Sequence, residues 1–411
     1  MLINLSSFTK KYDLFIYIKK KMKNKVLIIF KYPHGWNKNV IRKFSNYYDT
    51  EFLYISDYQT ETFKEIVDKI NNIISSKNIE IVVFDVDYFK FINLFFIENI
   101  NSKKKIIITG DDFELHNINA ITASGCDLVL SHCPLSVLKY KEKGYESYIF
   151  HFERGSKNVE GDKKVKKEID VLFFGHLTPD RKEILEYITF KGIKLKNVGH
   201  EGVVSGLPED KLLELISKSK IVVNLSKSRT TSVTDYSSED VYKFYYQFKG
   251  RIIMAGLNGA ACVSEYSPGQ ELLFKSDEVP TFFTKEECVD VLNDMLNNEE
   301  NLKKITEKFN VKTYEICDDN KNFEPIYKAI EKEKYRKVKL ITIPYWYARI
   351  ATKQILLRNI KISTLIKIIS QFSLIFKITK NSNIIIKLLI IFESILNIFW
   401  YSIILTFVRK K

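Results

Sequence analysis

The sequence predicts an α/β protein: two doubly wound parallel-sheet domains in tandem, followed by a basic, apolar helical tail. Three observations carry this. Short apolar runs alternate with helix-period segments through the first 150 residues. The alternation restarts near residue 170, after a charged stretch without periodicity. Beyond residue 334 the composition changes to Ile, Leu and Phe interleaved with Lys and Arg. Runs that are apolar at every position mark strands buried on both faces, and their alternation with helices marks parallel connections.

Residues 1–21 are basic and read as an N-terminal extension; the apolar run at 14–18 is too short for a secretory core. Met22 directly precedes the first strong strand, so a start at Met1 or at Met22 fits equally. The first domain spans 22–154, with strands expected at 26–30, 52–55, 79–84, 105–109, 127–130 and 148–150. Helices are expected at 41–48, 63–74, 88–97 and 134–143, the last stopped by Gly144. Residues 155–168 hold Gly, Ser, Asn and eight charged residues but only two valines, which is a linker composition. The second domain spans 169–334. Its strands are expected at 171–174, 193–198, 221–225 and 260–264, with helices at 179–188 and 207–217. One or two more helices follow over 284–309, opened by a Thr284–Glu287 capping-box pattern. Ligands of such sheets bind beyond the C-terminal ends of the strands.

The net charge of +14 is concentrated in one place. Residues 335–411 hold fourteen Lys/Arg and one acid, Glu393, so the rest of the chain carries only +1. A nucleic-acid binder would spread basic residues over a folded face with stacking aromatics. Here they alternate with apolar residues, which predicts a membrane surface as partner and no nucleic acid. Residues 388–408 are long enough to span a bilayer, although Glu393 and Asn397 make a span costly. Spanning the bilayer and lying on it both fit, and so does ordinary packing of these helices onto the body.

The five cysteines, at 126, 133, 262, 288 and 317, form no Cys-x-x-Cys pair. That argues against a disulfide framework or zinc motif and for a reducing compartment. The six histidines show no ligand spacing. The His132-Cys133 pair after a strand lacks a third partner in the sequence and reads as structural. No metal or other cofactor is expected.

Three segments of the second half carry a family resemblance. The first is Asp170-Val-Leu-Phe-Phe-Gly175-His-Leu-Thr-Pro-Asp-Arg181-Lys182. The second runs from Leu213 through Ile216 to Asn224-Leu-Ser. The third is Phe248-Lys-Gly-Arg251-Ile-Ile-Met254-Ala-Gly-Leu-Asn-Gly259-Ala-Ala-Cys-Val-Ser264-Glu265, continuing to Glu271. Over about 165–300 the chain resembles the donor domain of GT-B glycosyltransferases, in the branch with the CgeB-like and group 1 enzymes. Over 22–152 the likeness is architectural, two Rossmann-like domains; the tail lies outside it. The resemblance implies donor binding by Gly175, Arg181, Lys182, Asn224, Arg251, Ser264, Glu265 and Glu271. A glycine lets backbone approach a diphosphate, and Arg181 or Lys182 would neutralise it as it leaves. Ser267-Pro268 reads as an N-cap with proline at the first helical position, a helix start suited to an anion. One departure stands out. Retaining members often carry two glutamates eight residues apart, and those positions here are Tyr246 and Met254.

The first domain offers fewer signals. Thr109-Gly110-Asp111-Asp112 follows a strand, so Asp111, Asp112 and the nearby His116 are candidates for the base that takes the acceptor hydroxyl proton. His34 and Trp36, in the loop after the first strand, are candidates for the acceptor side, with Trp36 as a stacking platform. The expected function is sugar transfer from a nucleotide-sugar donor to a saccharide or lipid-linked acceptor. The expected place is the cytoplasmic face of a membrane, in surface polysaccharide synthesis. A catalytically inactive nucleotide-sugar binder or scaffold, and a nucleotide-sugar epimerase of the same fold, remain as alternatives.

Overall fold

The computed structural model describes residues 24–58, 61–86, 91–153, 155, 165–200, 207–227, 246–332 and 343–356, with the isolated positions 384, 388, 389, 391–393 and 396. The N-terminal extension, most of the linker and most of the tail lie outside these residues. The first sheet is built from β1 (Lys25–Phe30), β2 (Asp49–Tyr54), β3 (Ile81–Val86), β4 (Lys104–Thr109), β5 (Leu128–Ser131) and β6 (Ser147–Ile149). Its order is β2-β1-β3-β4-β5-β6, and its pairings are parallel. The β1 side chains Val26 to Phe30 are all buried, as a strand covered on both faces requires. The connecting helices are α1 (Asn37–Ser45), α2 (Phe63–Lys77), α3 (Leu94–Asn99), α4 (Asp112–Ala123) and α5 (Pro134–Glu142). Helix α2 starts with a full capping box between Thr62 and Glu65, and Gly144 follows α5 at φ 86°.

The second sheet contains β7 (Ile169–Phe173), β8 (Leu195–Asn197), β9 (Ser219–Asn224), β10 (Ala261–Glu265) and a short β11 (Thr281–Phe282). The order is β11-β10-β9-β7-β8, again parallel. Its helices are α6 (Pro179–Phe190), α7 (Glu209–Ser217), α8 (Gly250–Leu257), α9 (Lys285–Asn297) and α10 (Glu299–Cys317). The stretch expected as one or two helices is thus two, broken at Asn298, whose side chain accepts from the Asn301 N–H at 2.9 Å. Only half of the expected capping box forms at Thr284. It accepts from Glu287 N, while the Glu287 carboxylate takes the Phe283 N–H.

The main departure from the sequence reading concerns the C-terminal boundary. Helix α11 (Asp319–Ile330), assigned by sequence to the second domain, packs on the first. Its Phe323, Ile326, Ala329 and Ile330 share a core with Val26, Ile28, Phe44 and Phe150. Helix α12 (Tyr345–Leu356) lies inside the stretch read as tail. Its Tyr347, Ala348, Ile350 and Ala351 are buried against the other face of the first sheet. The Tyr347 hydroxyl accepts from Leu94 N at 2.9 Å and lies 2.8 Å from Thr122 Oγ1. Residues 343–351 therefore belong to the core. Their apolar character has the same period in a core helix as in a membrane-surface helix, so sequence alone does not separate the two.

Candidate donor site at the edge of the second sheet

The C-terminal ends of β7, β9 and β10 meet two buried arginines. Arg251, one residue into α8, donates Nη1 to Phe174 O (2.9 Å) and Nη2 to Leu225 O (2.8 Å), with its guanidinium 5.6 Å from the Phe173 ring. Arg181, in the first turn of α6, donates to His176 O (2.6 Å) and Lys227 O (2.7 Å). Each thus ties the loop after β7 to the loop after β9. Gly175 is required between them. It sits at φ 129°, and a Cβ there would stand 2.5 Å from Arg251 Nη1. Burial, then the nearby Arg181 charge, pulls the Arg251 pKa down; a guanidinium stays protonated in proteins nonetheless.

The balancing carboxylate is Glu265, buried at the end of β10, with Oε2 accepting Lys227 N at 2.8 Å. Burial raises its pKa, against backbone N–H groups and the Arg181 and Lys227 charges. Asn224 and Ser264 support the edge from beneath. Asn224 Nδ2 donates to Ser226 Oγ and Ser264 Oγ, and both hydroxyls donate to Glu265 O. Two guanidiniums against one carboxylate give this edge a positive field in a region shielded from water, suited to an anion.

Several sequence assignments need correction in detail. Arg181 is only 4% exposed and both of its terminal nitrogens donate to carbonyls, so it presents no open fork at this edge. Lys182 is half-buried next to it. The helix start expected at Ser267-Pro268 is absent: Gln270–Leu272 is a single 3-10 turn capped by Gly269. Glu271 is exposed there, its carboxylate accepting Gly269 N at 3.1 Å.

On the first domain, Asp111 and Asp112 separate sharply although they are adjacent. Asp112 is buried and accepts from Thr109 Oγ1 (2.6 Å), Ser131 Oγ (2.5 Å), Tyr140 OH (2.7 Å) and Asn119 Nδ2 (3.1 Å). Burial raises its pKa and these donors oppose the shift. With its lone pairs occupied, Asp112 is a structural tie between β4, β5, α4 and α5, and is corrected from catalytic base. His116 is also buried, its ring 4.6 Å from Tyr140, and burial brings its pKa down to about 4. It is a neutral, weak base enclosed in the core, and is corrected likewise. Asp111 instead sits at the N-cap position of α4 in left-handed geometry (φ 41°) without a side-chain cap hydrogen bond, and its carboxylate reaches across to the second domain, 3.5 Å from Lys249 Nζ. His34 and Trp36 are half-buried and stacked at 3.4 Å. Burial lowers the His34 pKa, opposed by Glu209 of the second domain. Asn39 donates to that same Glu209 at 2.9 Å, so this loop also faces the second domain.

One cluster was not legible as such. His132, after β5, meets His151 and Glu153, which follow β6. The parallel register Ser131↔Ile149 puts the residues beyond both strand ends side by side, and that adjacency is the signal a reading by sequence spacing misses.

Residues 179–315, a third of the chain, match the family described as glycosyl transferase-like. No curated protein matches the sequence. Among solved structures, an alpha-glucosyltransferase in complex with UDP and a 13-mer DNA is similar at 13% identity and TM-score 0.47, covering 76% of this chain and 100% of its own. HepE from Anabaena, in complex with UDP and glucose, is similar at 11% identity and TM-score 0.49, covering 74% of this chain and 98% of its own. A glycosyltransferase from Rickettsia africae is similar at 12% identity and TM-score 0.48, covering 76% and 100%. The family match runs from α6 to α10, through Arg181, Arg251 and Glu265. The matched segment lies in the second of two parallel-sheet α/β domains, so the likeness to the glycosyl transferase-like family covers that part of the chain.

Proposed function

We propose that this chain transfers a sugar from a nucleotide-sugar donor to a hydroxyl of a saccharide or lipid-linked acceptor, at the cytoplasmic face of a membrane, in surface polysaccharide synthesis. The observation that carries the reading is the buried Arg181–Arg251 pair at the C-terminal edge of β7, β9 and β10. In transfer, the acceptor oxygen bonds to the anomeric carbon, the bond to the diphosphate breaks, and negative charge grows on the leaving group. A fixed, water-shielded positive field stabilises that growing charge without reorganising. The proton of the acceptor hydroxyl needs a base on the opposite wall. Asp111, two residues beyond β4 and 3.5 Å from Lys249 Nζ of the second domain, is the candidate for that base.

The described tail positions support membrane attachment. Ile384, Leu388, Phe392 and Leu396 recur every four residues and are 65%, 60%, 60% and 50% exposed. Glu393 is turned to Arg349 of α12 at 2.8 Å. An apolar stripe among basic residues gains from apolar burial and from anionic headgroups. Among the described residues no helix is long and apolar enough to cross a membrane.

A second reading, a non-catalytic nucleotide-sugar binder, has one observation in its favour. Met254 stands where retaining relatives carry a glutamate, and it packs against the second domain's core. One experiment tests both: the full-length chain with a panel of nucleotide sugars, following thermal stabilisation and release of nucleoside diphosphate with a membrane extract as acceptor source. Stabilisation with release supports transfer. Stabilisation without release supports the second reading, and neither effect overturns both.

A further inference from the structure

The trio beyond the ends of β5 and β6 is built unlike an ordinary hydrogen-bonded cluster. His132 Nδ1 lies 3.2 Å from His151 Nδ1 and 3.3 Å from Glu153 Oε1, and His151 Nδ1 lies 3.9 Å from Glu153 Oε2. The side chains of His151 and Glu153 are 0% and 8% exposed, and that of His132 19%. Each imidazole nitrogen offers either a proton or a lone pair, not both. If His132 Nδ1 accepts from His151, its lone pair faces the Glu153 carboxylate. If it donates to Glu153, the two Nδ1–H groups compete or His151 must offer its own lone pair to the same proton. One arrangement of protons cannot satisfy all three contacts well. A cation among them can, because all three groups then act as lone-pair donors.

The distances agree with that alternative. For metal–ligand bonds near 2.0–2.1 Å, the edge of a tetrahedron is about 3.3 Å. The His132–His151 and His132–Glu153 Oε1 separations, 3.2 and 3.3 Å, match that edge; His151 stands 3.9 Å from the other oxygen, Oε2, so a shared ligand atom requires the carboxylate to turn, within a group whose ligand atoms span at most 4.8 Å. The ligand set, two imidazoles and a carboxylate, suits a borderline cation such as zinc, and leaves a fourth position. Two features temper the affinity. Neither Nε2 has a hydrogen-bond partner among the described residues, so the outer support usual for ligating histidines is missing, a loss of ~10–100-fold. Lys43 is also near, but it is engaged by Asp319 and by Cys317 O.

We propose that His132, His151 and Glu153 form a binding site for one divalent cation of the zinc type at the seam between the two sheet domains. The seam location follows from α8. Its first residue, Gly250, lies so close that a Cβ would stand 2.4 Å from Glu153 Oε1. The Phe248 ring centroid, also from the second domain, is 5.5 Å from that of His132. A bound cation therefore fastens the ends of β5 and β6 beneath the start of the helix that carries Arg251. The proposal does not rest on the proposed transfer reaction.

The test is titration of full-length, chelator-stripped protein with Co(II) and Zn(II), read by calorimetry and by the visible ligand-field bands of four-coordinate cobalt. One equivalent should bind, with those bands, and zinc should raise Tm. His132→Gln, partly exposed and expected to fold, and Glu153→Gln should each weaken binding by at least about tenfold and abolish the bands. The proposal is overturned by no saturable binding to the unsubstituted chain. Equally decisive against it would be one-equivalent binding, with unchanged bands, that survives both substitutions.

Discussion

The C-terminal edges of the two sheets solve the same problem with opposite charges. At the first edge a carboxylate, Asp112, is buried and gathers hydroxyl and amide donors from β4, β5, α4 and α5. At the second, Arg181 and Arg251 are buried and gather carbonyls from the loops after β7 and β9. Both pin strand ends. The difference is in what is left over. The donors around Asp112 are neutral and enclose the charge completely, so Asp112 itself has no field to offer a ligand. Among the described residues Arg181, Arg251 and Lys227 outnumber the carboxylates Glu265 and Asp180, so the second edge keeps a positive field for an anion. A buried charge therefore signals ligand binding only when its surroundings leave it uncompensated.

Substitutions at the two edges should break this comparison in different ways. The largest stability effect is expected from Asp112→Ala, which strands two or three buried donors at ~1–3 kcal/mol each. Denaturant unfolding should show a loss of about 3–5 kcal/mol, while the folded fraction keeps its nucleotide-sugar affinity. A loss of affinity at unchanged stability would reverse the assignment. Its neighbour should do the opposite. Asp111→Asn, at a partly exposed position, should leave Tm within a degree or two and lower turnover by ~10²–10⁴-fold, the usual worth of a general base. Unchanged turnover removes Asp111 from the reaction.

The neutral core of the first edge also predicts a pH response. His116 is brought from 6.5 to about 4 by burial, then by Lys143 and Lys139. The unfolded imidazole binds a proton that the folded one refuses, so stability falls as pH drops from about 6.5 to about 4 and levels off below. The span is worth about 3 kcal/mol. Asp112, raised by burial, titrates in the opposite sense, so the comparison is between the unsubstituted chain and His116→Gln. Parallel stability–pH curves for the two proteins would contradict the assignment.

At the second edge the effects are read in binding. Arg181→Ala should weaken nucleotide-sugar binding by about 1.5–3 kcal/mol, as loss of a charged contact does, even though its donors rest on carbonyls. Calorimetry giving unchanged affinity would leave Arg181 as a loop tie only. The smallest effect is expected from Tyr347→Phe in α12. Losing the hydroxyl strands Leu94 N and should cost about 1–2 kcal/mol with no change in membrane partition. A drop in partition would mean that α12 takes part in attachment as well as in the core.

The sequence was informative where structure is local. Strand β1 and helix α2 fell close to their expected places because an apolar run and a 3.6-residue period are written in adjacent residues. The Thr178-Pro179 start of α6 was equally readable, with Thr178 Oγ1 accepting Arg181 N. Boundaries moved by a few residues, as at β2 and at α3, whose start is set by the Asn93 cap accepting from Phe96 N. Gly175, Arg181, Arg251 and Glu265 were named from the sequence as candidate positions; their mutual contacts were not legible there.

By itself the sequence determined the two parallel sheets and the charge asymmetry of the tail. Tertiary structure decided which of the adjacent pair Asp111 and Asp112 is enclosed and which faces the second domain. It brought His132, His151 and Glu153 together, and it returned α11 and α12 to the first domain. The reason is physical. Periodicity records which face of an element must leave water, and that is a property of neighbouring residues. Which element covers that face, and which donor or acceptor meets a buried charge, depends on groups far apart in the chain, whose contacts exist only once both sheets are assembled.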